Sequence, residues 1–330
     1  MLRTANVRRQ RWPLKAPFRI SRGVKTAAET VIVQLRRGEA CGRGEGTPYP
    51  RYGESAEGVL DQLAPALAAF EAGEPDAGVR DMLPAGAARN ALDCALWDLR
   101  VREEGRSVAA ITGLARPPSV VCAVTISLDE PGAMAEAARR AALAPLIKVK
   151  LDADRPAERL EAVCAAAPAA RFIVDPNEGW SREILEDLSP LLARLPIALI
   201  EQPLPAADDH ALAGFRPPAP VCADESVHTA DDLGLLRDRY QAVNIKLDKT
   251  GGLTEAIRTL HAARALGFQV MTGCMVASSL AITPALHIAG ASDFVDLDGP
   301  WWLAGDWPAG VRLEGGVMRA PAVGFWGEPA

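Results

Sequence analysis

Three carboxylates, Asp175, Glu201 and Asp224, each close a short apolar run: RFIVD, IALIE and PVCAD. They stand 26 and 23 residues apart, about one strand-plus-helix repeat. Lys148 and Lys150, in LIKVKL, lie one such repeat before them, and Lys246, in AVNIKL, one repeat after. A charged residue that regularly ends a β-branched run reads as the C-terminal end of a parallel barrel strand, where barrel active sites are built. The chemistry this spacing allows is two amines facing each other across a metal held by three acids.

Residues i and i+2 of a strand share a face, so Lys148 and Lys150 point the same way, into the barrel. Taken alone, the pair fits a buried salt-bridge layer as well as a reactive site. The acids tilt the choice. Three neighbouring carboxylates repel and raise one another's pKa, and a divalent cation is the natural compensation. With no His or Cys beside them, oxygen-only donors favour one Mg²⁺ per subunit, or Mn²⁺, over zinc. Lys246 falls across the cavity from the second strand. A metal and further lysines around it should depress its pKa towards neutrality and make it a usable general base. Two bases on opposite faces of one carbon suit a 1,1-proton transfer through an enediolate, whose charge a metal and cationic side chains stabilise. Asp296 and Asp298, in DLDGP, end the eighth strand and again share a face. Such a pair could bind a substrate ammonium or tune a lysine, although an Asp-Gly turn explains Asp298 nearly as well.

These side chains need a scaffold of a definite kind. After Arg116-Pro117-Pro118 apolar runs alternate with helical stretches. The strands are VVCAVTIS, LIKVKL, RFIVD, IALIE, PVCAD, AVNIKL, FQVMT and DFVDLD, with about seven helices between them. The earlier part reads as three strands followed by two helices, AEGVLDQLAPALAAFEAG and AGAARNALDCALWDLRVREE. The second places Ala88, Leu92, Ala95, Leu96 and Leu99 on one stripe. The expected fold class is therefore α/β, a (β/α)7β TIM-like barrel with an α+β capping domain. The divisions fall at 1–116 for the cap, 117–305 for the barrel, and 306–330 for a tail whose VRLEGGVMR hairpin returns to the cap. TPYPRYGE forms a loop able to cover the barrel mouth.

Composition narrows the function. The chain has 330 residues, 49% of them hydrophobic, and a net charge of -6. That gives no basic field for nucleic acid and no polybasic patch for a membrane. No signal peptide or membrane span is recognisable, and six scattered cysteines read as free thiols of a cytoplasmic protein. GRGEG resembles part of a dinucleotide fingerprint but opens no helix, and KTGGLTEA could place a helix N-terminus near an anion or be an ordinary loop.

The chain resembles the enolase superfamily, in its muconate-lactonizing subgroup, with the dipeptide epimerases as the nearer match. ISRGVKT, TPYPRYGES, LPAGAARNALDCALWDL, IKVKLD, LIEQPLP, CADES, VNIKLDKTGGLTEA and DLDGP carry the resemblance over most of the chain. It implies an isomerase that inverts the C-terminal α-carbon of a dipeptide, L-Ala-D-Glu/L-Ala-L-Glu from cell-wall peptide turnover. By the same resemblance Lys150 and Lys246 are the two bases, and Asp175, Glu201 and Asp224 hold Mg²⁺. Lys148, Thr125, Asp296, Asp298 and Arg22 then contact substrate, the aspartates at its ammonium and Arg22 at a side-chain carboxylate. The partner is a small dipeptide, and a homo-oligomer is compatible with everything above. Cycloisomerases, o-succinylbenzoate synthases and N-acylamino acid racemases of the superfamily are the alternatives; their substrates lack the ammonium that Asp296 and Asp298 suit. In one departure, Ala277 of GCMVASS stands where many relatives carry a glutamate.

Overall fold

The computed structural model describes residues 2–329. Three antiparallel strands, β1 (Arg3–Ile20), β2 (Gly23–Arg37) and β3 (Ala40–Gly46), open the chain in the order β1-β2-β3. Four helices follow: α1 (Ala56–Ala72), α2 (Asp76–Asp81), α3 (Ala87–Glu104) and α4 (Val108–Thr112). The striped residues of α3 are all buried and pack with Val31, Val33 and Leu35 of β2. The GRGEG segment owes its glycines to this packing. Gly42, Gly44 and Gly46 alternate on the face of β3 that meets α3, and a Cβ on Gly44 would lie 2.1 Å from the carbonyl oxygen of Ala91. Only glycine lets strand and helix backbones approach so closely.

Short β4 (Ser119–Val121) leads into β5 (Val124–Ile126), α5 (Pro131–Arg140), β6 (Leu146–Lys150), α6 (Pro156–Ala166), β7 (Arg171–Asp175), α7 (Arg182–Leu192) and β8 (Ile197–Glu201). Then come β9 (Val221–Ala223), β10 (Ala242–Ile245), α8 (Leu247–Thr250), α9 (Leu253–Ala265), β11 (Gln269–Gly273), α10 (Ser279–Ala289) and β12 (Phe294–Asp296). The strands β5 to β12 form one parallel sheet in sequence order, and the Ala123 amide donates to the Val295 carbonyl at 2.8 Å, joining its two ends. TADDLGLLRDRY, between β9 and β10, forms only a 3-10 turn over Ala230–Leu235, held by a Thr229–Asp232 capping box.

The hairpin β13 (Arg312–Glu314) and β14 (Val317–Arg319) pairs with β4, at the barrel. The tail meets the cap on both sides of the hairpin: Trp307 packs edge-on against Trp12 of β1 with ring centroids 6.1 Å apart, the Trp326 indole donates to the Arg43 carbonyl at 2.8 Å, and the Gly327 amide to Asp98 at 3.0 Å. There Trp326 also packs near the His287 ring of α10. Burial, the largest influence on that imidazole, pulls it down to about 4 against its hydrogen bond with the Leu114 carbonyl. The fold thus favours neutral His287, whose unfolded-state pKa is near 6.5. Its contribution is full above that value and is lost as pH falls from there towards 4. Between pH 7.5 and 5, urea denaturation should show the wild type losing about 2 kcal/mol more than His287→Gln. Equal losses would remove His287 from the acid sensitivity.

Candidate active site

Alternation along the barrel strands builds the site in two layers. Inward-facing Ala123, Leu146, Ile173, Leu199, Cys222, Ala242, Met271 and Phe294 form a separate apolar cluster that plugs the barrel. Two residues further along each strand the inward positions are Thr125, Lys148, Asp175, Glu201, Asp224, Asn244, Gly273 and Asp296. Lys150, Lys246 and Asp298 project one step beyond. Polar groups therefore meet only at the C-terminal mouth, above a dry floor.

Lys148 is the hub. Its Nζ lies 2.9 Å from Asp175, 2.6 Å from Glu201 and 2.7 Å from Asp296. Lys150 reaches Asp175 at 2.5 Å. Lys246 and Lys249 each reach Asp224 at 2.6 Å. Among the described residues no three acids close on one point at ligand distance, because lysines stand between them. The contact between Lys148 and Glu201 Oε2 lacks the alignment of a hydrogen bond, which leaves that buried oxygen without a donor. Burial and then the charge of Asp175 push Glu201 up to about 8. Three strand-end acids, one with a free buried oxygen and mutual repulsion, fit a bound divalent cation.

The depression expected of Lys246 presupposes a bound cation, and the protein's own groups act the other way. Burial does oppose its charge, but Asp224 and Glu201 outweigh burial and keep the ammonium well above the ordinary lysine range. The physical reason is contact: the acid is a hydrogen-bond length away and the other lysines are not.

Strand order places β6 and β10 four positions apart among eight, so Lys150 and Lys246 face each other across the barrel. Both line a cavity of about 460 Å³, together with Thr125, Lys148, Asp224, Asp296, Asp298 and Arg22. Asp298 accepts the Thr125 amide at 2.8 Å and is pushed up to about 6 by burial and then by Asp296. Asp296 spends one oxygen on Lys148, while its buried Oδ1 has no donor. The loop after β11 contributes Cys274, Met275 and Val276 to the lining, and Ala277 is buried behind them.

Arg22 reaches the cavity from the β1–β2 turn. Its guanidinium donates to Glu178 at 3.0 Å, Glu225 at 2.7 Å, Tyr49 Oη at 2.8 Å and the Asn177 carbonyl at 2.8 Å. Arg51, in the TPYPRYGE loop, grips both oxygens of Glu178. The cap loops are thus tied onto the loops that follow β7 and β9. The loops after β7 and β8 carry left-handed backbone at Asn177 (φ 47), Glu178 (φ 66) and Gln202 (φ 32), just after the Asp175 and Glu201 strand ends.

Sequence reasoning missed several supporting residues. Asn244 donates to Glu201 Oε1 at 2.9 Å, from space that a side chain on Gly273 would fill. Lys249 anchors Asp224 from one turn beyond Lys246. Period-2 alternation from Lys246 back to Asn244 was a usable signal, but nothing local distinguished Lys249. KTGGLTEA proved structural: the N-terminus of α9 is met by Asp93 of α3, which accepts from the Thr254 amide at 2.9 Å and its hydroxyl at 2.6 Å.

The chain is similar to known proteins over nearly its whole length. Residues 133–323 match the family model described as enolase C-terminal domain-like. Residues 2–113 match the mandelate racemase / muconate lactonizing enzyme N-terminal domain. The L-Ala-D/L-Glu epimerase of Escherichia coli (strain K12) is 48% identical over 96% of this chain and 100% of its own length. An N-acetyl-D-glutamate racemase of a Pseudoalteromonas species is 44% identical over 90% of this chain and 95% of its own. The structure superimposes with a TM-score of 0.95 on an enolase family member from Agrobacterium tumefaciens with bound sodium and L-Ala-L-Glu, 45% identical, covering 98% and 100% of the two chains. A dipeptide epimerase from Enterococcus faecalis V583, complexed with Mg and L-Leu-L-Tyr, gives a TM-score of 0.90 at 26% identity, covering 97% of each chain.

Proposed function

The chain belongs to the enolase superfamily, in the group of mandelate racemase and muconate lactonizing enzymes, and we propose that within it the protein is a dipeptide epimerase. It is an isomerase. The proposed substrates are L-Ala-L-Glu and L-Ala-D-Glu, as in the turnover of cell-wall peptides. One observation carries the reading: two lysines, Lys150 and Lys246, face each other across one cavity of about 460 Å³.

In the proposed reaction the α-carbon of the C-terminal residue sits between these amines. One removes the α-proton and the other returns a proton to the opposite face. Asp175, Glu201 and Asp224 would hold Mg²⁺. When bound, that ion would take up carboxylate oxygens that now keep the lysines protonated, and would supply positive charge to the substrate's carboxylate. Lys148, fixed by three acids, stabilises the enediolate charge without taking part in proton transfer. Asp296, through its undonated oxygen, and Asp298 receive the free ammonium beside Thr125. Arg22 stands beside the side-chain carboxylate, and its loop closes the cavity.

The acid pair also separates this reading from that of an N-acylamino acid racemase. An acylated nitrogen carries no charge to balance Asp296 and Asp298. Proton NMR in ²H₂O with Mg²⁺ should show α-hydrogen exchange and inversion in L-Ala-L-Glu, at a kcat/KM about 100-fold above that for N-acetyl-L-Glu. Preference for the acylated amino acid would reverse the assignment.

A further inference from the structure

We propose that Asp248 is a positioning residue for Lys246, through which the capping domain holds one of the two bases and not the other. This inference rests on the dipeptide epimerase reading with its two bases. Lys246 stands where β10 gives way to α8, and its carbonyl accepts the amides of Lys249 and Thr250 at 3.0 Å each. A helix of four residues has little stability of its own, so the aim of Lys246 depends on what grips that turn. From the barrel side the grip is Lys249, which donates to Asp224 at 2.6 Å and to the Asn244 carbonyl at 3.0 Å. From the cap side it is Asp248.

Oδ1 of Asp248 accepts the Thr47 amide at 2.8 Å, from the loop after β3, and the Asn90 side-chain amide at 2.7 Å, from α3. Asn90 and Asp248 are both buried. Asn90 is itself fixed, because its Oδ1 accepts the Cys94 thiol at 3.2 Å. Arg89, one residue earlier in α3, donates to the Thr250 carbonyl at 2.7 Å and so holds the far end of α8. Among the described residues no cation pairs with Asp248, and burial, the largest influence, pushes its carboxyl up to about 7. The two donors require an acceptor oxygen and not a charge, so asparagine can serve there and alanine cannot. Lys150 is held differently. Its strand, β6, lies between β5 and β7, its ammonium meets Asp175, and among the described residues no hydrogen bond joins β6 to the cap. The cap therefore aims the base on one face of the substrate's α-carbon, and the barrel by itself aims the other.

The test measures α-proton wash-out from L-Ala-L-Glu and L-Ala-D-Glu into ²H₂O with Mg²⁺, in enzymes that keep a single base. With Lys150→Ala, where Lys246 works alone, adding Asp248→Ala should slow exchange by about 30-fold, the scale of loss when a reacting group is misplaced by a fraction of an ångström to 1 Å. Asp248→Asn in the same enzyme should restore most of that rate. With Lys246→Ala, where Lys150 works alone, adding Asp248→Ala should change exchange less than about threefold, as for sites that share no partner. Should Asp248→Ala fold poorly, Asn90→Ala leaves Asp248 its Thr47 partner and makes the same comparison. Equal slowing in the two single-base enzymes would mark a general effect on the fold and overturn the proposal. No slowing in either, or slowing confined to Lys246→Ala, would overturn it too, as would an asparagine variant as slow as the alanine one. If neither single-base enzyme exchanges either epimer although the wild type epimerises the dipeptide, the proposal falls with the two-base assignment. A wild type that leaves both dipeptides unchanged overturns the functional reading itself, an outcome distinct from the others.

Discussion

Replacing Lys150 or Lys246 by alanine should abolish epimerisation, lowering kcat/KM for L-Ala-L-Glu by at least about 10⁴-fold, the upper range for loss of a positioned general base. The two variants should nevertheless differ in a way that a shared structural role cannot produce. Each keeps one base, so each should still wash the α-proton out of one epimer into ²H₂O, and the epimer should be different for the two. The expectation follows from topology: strands β6 and β10 stand opposite one another, so the amines approach the same carbon from its two faces. Binding should survive, because Lys148 and the acid layer remain. If both variants exchange the same epimer, the two-base assignment is wrong. If neither exchanges either epimer while both still bind dipeptide, one lysine is electrostatic and the other works through a different partner.

The second large effect concerns the acids. Glu201→Gln and Asp224→Asn should each lower divalent-cation affinity and activity by more than about 100-fold, by titration calorimetry with Mg²⁺ and by turnover. Their effects on stability should diverge. Among the described residues Asp224 is the sole acid bonded to both Lys246 and Lys249, and Lys249 is only 1% exposed. Removing its charge leaves two buried cations short of their partner, which costs about 3–5 kcal/mol. Glu201 is different. Burial, and then the charge of Asp175, already push its carboxyl up to about 8, and Lys148 retains Asp175 and Asp296 when Glu201 is neutralised. Glu201→Gln should therefore fall within about 1 kcal/mol of wild type in metal-free denaturation. Full activity of either variant after exhaustive chelation would eliminate the metal role. Equal destabilisation would show that the acid layer shares its charge evenly instead of through the pairs seen here.

The sequence by itself determined which residues would face one another, since that follows from two periods it displays openly. A charge at the end of each apolar run, repeated at the length of a strand and helix, placed Asp175, Glu201 and Asp224 on successive strands. The i, i+2 spacing turned Lys148 and Lys150 inward. Period and spacing are local properties, and the closed parallel sheet follows from them with little freedom left. The stripe along α3 was legible for the same reason. The tertiary structure alone decided how the charges are shared. Lys148 serves three acids on three other strands, Lys249 supports Asp224 from a helix that follows β10, and Asn244 reaches Glu201 through space left by Gly273. These are contacts of long sequence separation, with no periodicity to announce them. The same distinction separates Arg22 from Lys25. In the sequence both are cations of one short loop, and only folding brings Glu178 and Glu225 to the first and leaves the second unmatched over Tyr49. Ion pairing depends on distances of a few ångströms between distant segments, and a one-dimensional pattern does not encode them.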